Sequence, residues 1–215
     1  MKRYTFAIKQ YSGKKEVFFR ALGENWLLFT TFLNRNNIRN FSLWNAGNLI
    51  FGYCELDDDL VLLETEKEII KGLIQAFKGT FEWISEPEQN MKLMYHDYGI
   101  VRTNKELIRH RVFMAKLNEG CEQEYKRRHD ELIKQRGNLI TPGPDSNFSI
   151  WSAGGYIFGY DEIDVTMERE QTKEELESTI AWETKQLEIM KWITNDMDWL
   201  TGENNLAVKR IAWHN

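Results

Sequence analysis

One stretch of this chain occurs twice, and it limits the folds open to the rest. Residues 40–57 read NFSLWNAGNLIFGYCELD and residues 147–164 read NFSIWSAGGYIFGYDEID, with 12 of 18 positions identical at an offset of 107. A duplication of that period divides the 215 residues into two comparable halves. Each copy reads as a hairpin. Phe41 and Leu43 alternate with Ser42 and Trp44, and Phe148 and Ile150 with Ser149 and Trp151, the period of a half-buried strand. The segments 45–48 (NAGN) and 152–155 (SAGG) supply turn chemistry between the strands. Gly52 and Gly159 lie inside the second strands, where a glycine marks a bulge or a close approach by backbone or ligand. Glu55 and Glu162, shared at the hairpin ends, are expected to make a structural hydrogen bond.

The flanking segments give each half the order β-α-β-β-α-β. In the first half these are a strand at 3–10, a helix at 14–34, the hairpin, a helix at 64–83 and a closing strand at 92–96. In the second they are a strand at 109–117, a helix at 122–137, the hairpin, a helix at 173–199 and a closing strand at 207–214. Leu73, Ile74 and Phe77 mark the apolar face of one second helix, and Ile180, Leu187, Met190 and Ile193 that of the other. The pattern is the ferredoxin-like one, an α+β fold with a four-stranded antiparallel sheet and both helices on one face. The expected architecture is two tandem repeats, residues 1–100 and 108–215, joined by a linker at 101–108. Packed sheet to sheet as an intramolecular pseudo-dimeric α+β barrel, they would cover each other's open faces and enclose a lined cavity.

Charge and composition narrow the function. A net charge of −5 argues against nucleic acid or an anionic membrane as partner. No run approaches 18 apolar residues, and the N-terminal MKRYTFAIKQY alternates like a strand, so a cytoplasmic protein is expected. Cys54 and Cys121 are not equivalent between the repeats and have no metal-ligand spacing. The four His are scattered, so neither a metal nor an organic cofactor is expected. Of those four, His110 sits on a strand between two arginines with no role assigned. Twelve Phe, eight Tyr and eight Trp supply core, and also the aromatic surface on which sugars commonly bind.

The chemistry gathers in residues 122–132, EQEYKRRHDEL. Tyr125 and His129 are spaced i, i+4 and share a helix face, as do Glu124 and Arg128. A His presented with a Tyr toward an aromatic cavity can transfer protons near neutral pH. A solvated charged helix carrying a surface His fits the same eleven residues.

With NFSIW and IFGYDE following, the EYKRRHDEL segment resembles the L-rhamnose mutarotase family, whose small ferredoxin-like subunits form dimeric α+β barrels and interconvert sugar anomers. The resemblance spans nearly all of the second repeat and the first more faintly. It implies a monosaccharide substrate such as L-rhamnose or a related deoxysugar, His129 as the catalytic proton donor and Tyr125 as a sugar contact. Phe148 falls where the family usually has a substrate-contacting Tyr. Ile189 and Met190 fall where it presents adjacent Trp residues, with Trp192 close by. His214 resembles a His near the family's terminal strand end, and His96 holds the same place in the first repeat. Phe148, Met190, Trp192 and His214 are thus the implied substrate contacts, with Phe148 toward the cavity and Trp151 on the helix side.

At the 107 offset Tyr125 becomes Phe18, Arg128 becomes Ala21 and His129 becomes Leu22. The first repeat therefore reads as a degenerate partner without the family's acid. Two other classes fit the sequence. One is a non-catalytic sugar-binding or sensory module. The other is a different cofactor-free enzyme on the same barrel fold, such as an oxygenase.

Overall fold

The computed structural model describes residues 1–87, 89–140, 142–194 and 206–215. The chain divides into two compact units, residues 1–91 with 209–215, and residues 92–208. Each is a mixed α+β unit built on one antiparallel sheet that, among the described residues, has five strands.

The first unit begins with β1 (Lys2–Gln10), α1 (Lys15–Arg35), β2 (Arg39–Ala46), β3 (Leu49–Leu56), α2 (Glu64–Ala76) and β4 (Phe81–Trp83). The second repeats the order as β6 (Ile108–Leu117), α3 (Glu122–Arg136), β7 (Asp145–Ala153), β8 (Tyr156–Asp164), α4 (Lys173–Gln186) and β9 (Met190–Trp192). Between them lies β5 (Lys92–Asp97), and β10 (Lys209–His214) ends the chain. The sheet orders are β10-β2-β3-β1-β4 and β5-β7-β8-β6-β9.

Two expectations need correction. The ferredoxin-like pattern is completed in each unit by the three-residue strands β4 and β9, whose residues the sequence assigns to the ends of long helices. The α2 helix stops at Ala76 because Gly79 adopts a positive φ of 73° and the Thr80 N–H closes a turn onto the Phe77 carbonyl. The α4 helix stops at Gln186, where the Ile189 N–H returns to the Gln186 carbonyl; residues 195–199 of the expected helix lie outside the described residues. The closing strands are also exchanged: β5 pairs with β7, and β10 pairs with β2. With β4 on the outer edge of β1 and β9 on that of β6, the free edges are those of β2 and β7. An unpaired edge of buried strand is a liability, and each closing strand covers one.

The duplicated hairpin owes its identical positions to one repeated device. Asn40 and Asn147 take left-handed conformations (φ 48° and 56°) where the register shifts between the hairpin strands. Each donates its side-chain amide to a glutamate, Asn40 to Glu55 at 3.0 Å and Asn147 to Glu162 at 3.2 Å. The hydroxyls of Tyr53 and Tyr160 donate to the same two carboxylates at 2.9 Å. Gly52 and Gly159 are not bulges: the rings of Phe6 and Phe113 lie on them.

The helix-covered face of the first sheet holds an apolar core of Ile8, Phe18, Leu22, Phe32, Phe41, Leu43 and Ile50. The same face of the second holds Phe113, Ala115, Tyr125, Ile150, Ile157 and Met190. On the opposite face of the second sheet Val112, Met114, Ser149, Trp151, Phe158 and Tyr160 are also buried. Among the described residues no helix is long and apolar enough to cross a membrane.

Candidate functional site

The second unit contains a cavity of about 410 Å³ between its helices and its sheet. His129 and Tyr125 reach it from α3, Phe148 from β7, and Met190 and Trp192 from β9. These five sequence-selected residues are therefore brought together, on the helix-covered face and not on the opposite face where the sequence reading put the cavity. Strand alternation sends Trp151 to that opposite face. His214 is not among the lining residues; it lies on β10 in the first unit, its Nε2 2.7 Å from the Asn34 Oδ1. The exchange of closing strands is the reason. His96, which belongs to the second unit through β5, stacks on Tyr98 with ring centroids 4.6 Å apart.

The α3 helix forms because its charges suit its ends, with Glu122 and Glu124 in the first turn and Lys134 and Arg136 in the last. Its buried face is Tyr125, Arg128 and His129. Arg128 donates to Glu124 at 2.7 Å, to Glu188 at 2.9 Å and to the Lys185 carbonyl. It thereby ties α3 to the end of α4 and fixes the face that carries His129.

The imidazole of His129 is boxed by rings. Tyr125 stacks on it at 4.2 Å, and Tyr95 and Trp182 meet it edge-on at 5.4 and 5.3 Å. Its Nδ1 lies 2.9 Å from the Tyr125 carbonyl oxygen, which can only accept, so Nδ1 carries the proton and Nε2 keeps its lone pair. Burial pulls the pKa down to about 4, the hydrogen bond to Tyr125 opposing, so the ring is neutral at pH 7. The Tyr125 hydroxyl is pushed well above its usual range by burial, with the charge of Glu183 adding to the effect.

The polar groups that sequence reasoning missed lie opposite. The buried face of α4 is Glu183 and Gln186, not the expected line of Ile180 and Leu187. Burial raises the Glu183 carboxyl to about 7, with Arg111 on β6 pulling the other way. Arg111 pairs with Asp161 at 2.9 Å and lies over the Phe148 ring at 5.6 Å. Burial raises the Asp161 carboxyl too, against the pull of Arg111. Glu183 Oε2, both polar atoms of the Gln186 amide, Trp192 Nε1 and Arg111 Nε are buried with no hydrogen-bond partner among the described residues. A buried polar atom left unbonded costs about 1–3 kcal/mol, so such a convergence in one cavity is the mark of a site for a polar ligand. The signal available in sequence was the spacing of Thr179, Glu183 and Gln186 along one helix stripe, which by polarity alone reads as solvated.

The corresponding cavity of the first unit is about 150 Å³ and almost wholly apolar. Trp83 pairs with Ile8 as Trp192 pairs with Ala115, which aligns the second helices as well. Leu22 then stands for His129, Phe18 for Tyr125, Ile74 for Glu183 and Phe77 for Gln186, all lining that cavity. Asn25 is its one amide, and it donates to the Ala21 carbonyl of its own helix. Among the described residues no group of three or more His, Cys, Asp or Glu is placed to hold a metal ion.

Residues 110–211 match the family model of L-rhamnose mutarotase. The match covers the second repeat, including all the residues that line its cavity except Tyr95 on the exchanged strand. Searches of curated proteins and of solved structures gave no match.

Proposed function

We propose that the second unit is a mutarotase that interconverts the α and β anomers of a monosaccharide, L-rhamnose or a related deoxysugar. The observation that carries this reading is the cavity itself: a histidine of fixed tautomer faces a set of buried, unbonded polar groups among aromatic rings. Its volume falls within the range of about 300–1,000 Å³ usual for small-molecule sites. The family match of this repeat supports the same reading.

Mutarotation needs one base and one acid. The base takes the proton of the anomeric hydroxyl, whose electron pair becomes the C1 carbonyl bond. The C1–O5 bond breaks, and O5 takes a proton from the acid. The aldehyde turns about C1–C2, and the ring closes on the other face with both proton transfers reversed. His129, neutral and with Nε2 free, is the base in the opening step. The family resemblance implies His129 as the donor to the ring oxygen; its lowered pKa and its Nδ1 proton favour the base instead, and as imidazolium it returns the proton to O1 on closure. Tyr125 holds the His129 ring and lines the sugar site, and Phe148, Met190 and Trp192 supply its apolar and aromatic walls.

The halves 1–100 and 108–215 are on this reading a degenerate repeat and a mutarotase-like repeat, and the finer fold an intramolecular pseudo-dimeric α+β barrel. The exchange of β5 and β10 and the burial of the sheet face opposite the helices support it. The net charge of −5 fits a small sugar as partner in preference to nucleic acid, and a cytoplasmic location suits an enzyme that takes a free sugar.

The test is saturation transfer between anomeric protons by NMR, over a panel including L-rhamnose and L-fucose, at a pH where spontaneous exchange is slow. Faster exchange with the protein, falling by roughly 10²–10⁴-fold in His129→Ala, is expected. Sugar binding with no acceleration would instead favour the sensory module.

A further inference from the structure

The mutarotase reading leaves one role open, the acid that protonates the ring oxygen. We infer that Glu183 is that acid, a catalytic residue acting across the cavity from His129.

The position of Glu183 is what argues for it. It projects from α4 into the cavity that His129 enters from α3, so the two reach the same ligand from different helices. Its carboxyl is buried, and Oε2 has no hydrogen-bond partner among the described residues. A carboxyl kept only to brace the fold would have both oxygens engaged. The other titratable or charged side chains on the cavity are Arg111 on β6, Tyr125 on α3 and Tyr95 on β5, with Asp161 on β8 ion-paired to Arg111. Asp161, ion-paired to Arg111 and itself raised by burial, is not among the residues that line the cavity, Arg111 is no proton donor near neutral pH, and the two phenols are too weakly acidic to protonate a ring oxygen there.

Environment then sorts the pair. The same burial drives the histidine toward its neutral form and the carboxyl toward its protonated form, about 4 for His129 and about 7 for Glu183. Two titratable groups pushed apart in this sense divide into base and acid. Near pH 6 the free enzyme holds a His129 that can accept and a Glu183 that can donate. Their protons balance over a turnover: Glu183 gives one to O5 while His129 takes one from O1, and closure returns both. The degenerate repeat lost the two groups together, with Leu22 for His129 and Ile74 for Glu183 in its apolar cavity.

The inference rests on the mutarotase reading, and the experiment separates the two. The full chain is compared with Glu183→Gln and Glu183→Asp for anomer exchange between pH 4 and 9, for sugar affinity, and for the 13C shift of labelled Glu side-chain carboxyls. Glu183→Gln should slow exchange on the order of 10²-fold at pH 6 with affinity changed less than about threefold. The wild type should lose kcat/KM above about pH 7 along with a carboxyl titrating there. Both features should vanish in Glu183→Gln, and Glu183→Asp should restore the alkaline limb in part. Wild-type exchange matched by Glu183→Gln, or a Glu183 carboxyl titrating in the ordinary range, overturns the acid and leaves the mutarotase standing. Wild type inert toward every sugar overturns the mutarotase, and the acid falls with it.

Discussion

The ring of Phe113 rests on Gly159: a β-carbon added at Gly159 would lie 2.1 Å from it, and one at Gly52 2.3 Å from the ring of Phe6. Phe113 lines the cavity of the second unit and packs edge-on to Trp192 at 5.4 Å. Gly159→Ala should therefore cost about 1–3 kcal/mol and also displace a cavity wall. Gly52→Ala should cost a similar amount and leave anomer exchange untouched. Thermal unfolding and NMR exchange on the two variants check the pair.

Arg128 is the strut between α3 and α4. Replaced by Met, it takes their donor from the Lys185 carbonyl and the Glu188 carboxylate, while Glu124 keeps Arg127, at an expected cost of about 1–3 kcal/mol. The freed α3 face should also shift His129, so exchange should fall further than sugar affinity. Denaturant titration and exchange rates measured on one preparation test both halves of the expectation.

The depressed pKa of His129 fixes a pH dependence. Unfolded, the ring titrates near 6.5, and folded near 4, so between those values the unfolded chain binds more protons. Stability from this group is complete above about pH 6.5 and lost as the pH falls toward 4, by about 3 kcal/mol in all. Glu183 runs the other way, its raised pKa destabilising the fold as the pH rises from 4.5 through 7. His129→Gln should accordingly lose less stability than wild type between pH 7 and 4, and Glu183→Gln should gain on wild type at pH 8. Chemical denaturation at the three pH values reads both signs.

The first unit should not regain activity from its missing side chains alone. Leu22→His with Phe18→Tyr puts an imidazole and a phenol into a cavity that lacks counterparts of Glu183 and Gln186. Unpaired burial of this kind costs about 1–3 kcal/mol per group, so the double variant should unfold earlier. In a His129→Ala background it should show no exchange.

The hairpins were legible because the two copies fix the turn, the alternation and the shared Asn and Glu positions against each other. The site was half legible. Tyr125 and His129 announce themselves by residue type and spacing, whereas Glu183 and Gln186 look like any solvated helix stripe until something is packed over them. The strands β4 and β9 are too short at three residues to show an alternation, so they read as continuations of α2 and α4. The exchange of β5 and β10 left no trace in pattern, since a strand alternates in the same way on either sheet. His214 was misplaced for that reason.

The order of synthesis makes the exchanged strands matter. On the ribosome the first-made sheet must wait for the last-made residues, because β2 has no edge partner until β10 emerges. That pairing joins residues 41–45 to 209–214, a long loop closure of the kind that slows folding. Until it forms, the β2 edge of the nascent chain is open to the wrong strand. A gene cut at the duplication boundary would yield one half ending in an unclaimed β5 and another ending in an unclaimed β10. Each copy thus hems the sheet of the other: β5, made with the first, edges the second sheet, and β10, made with the second, edges the first.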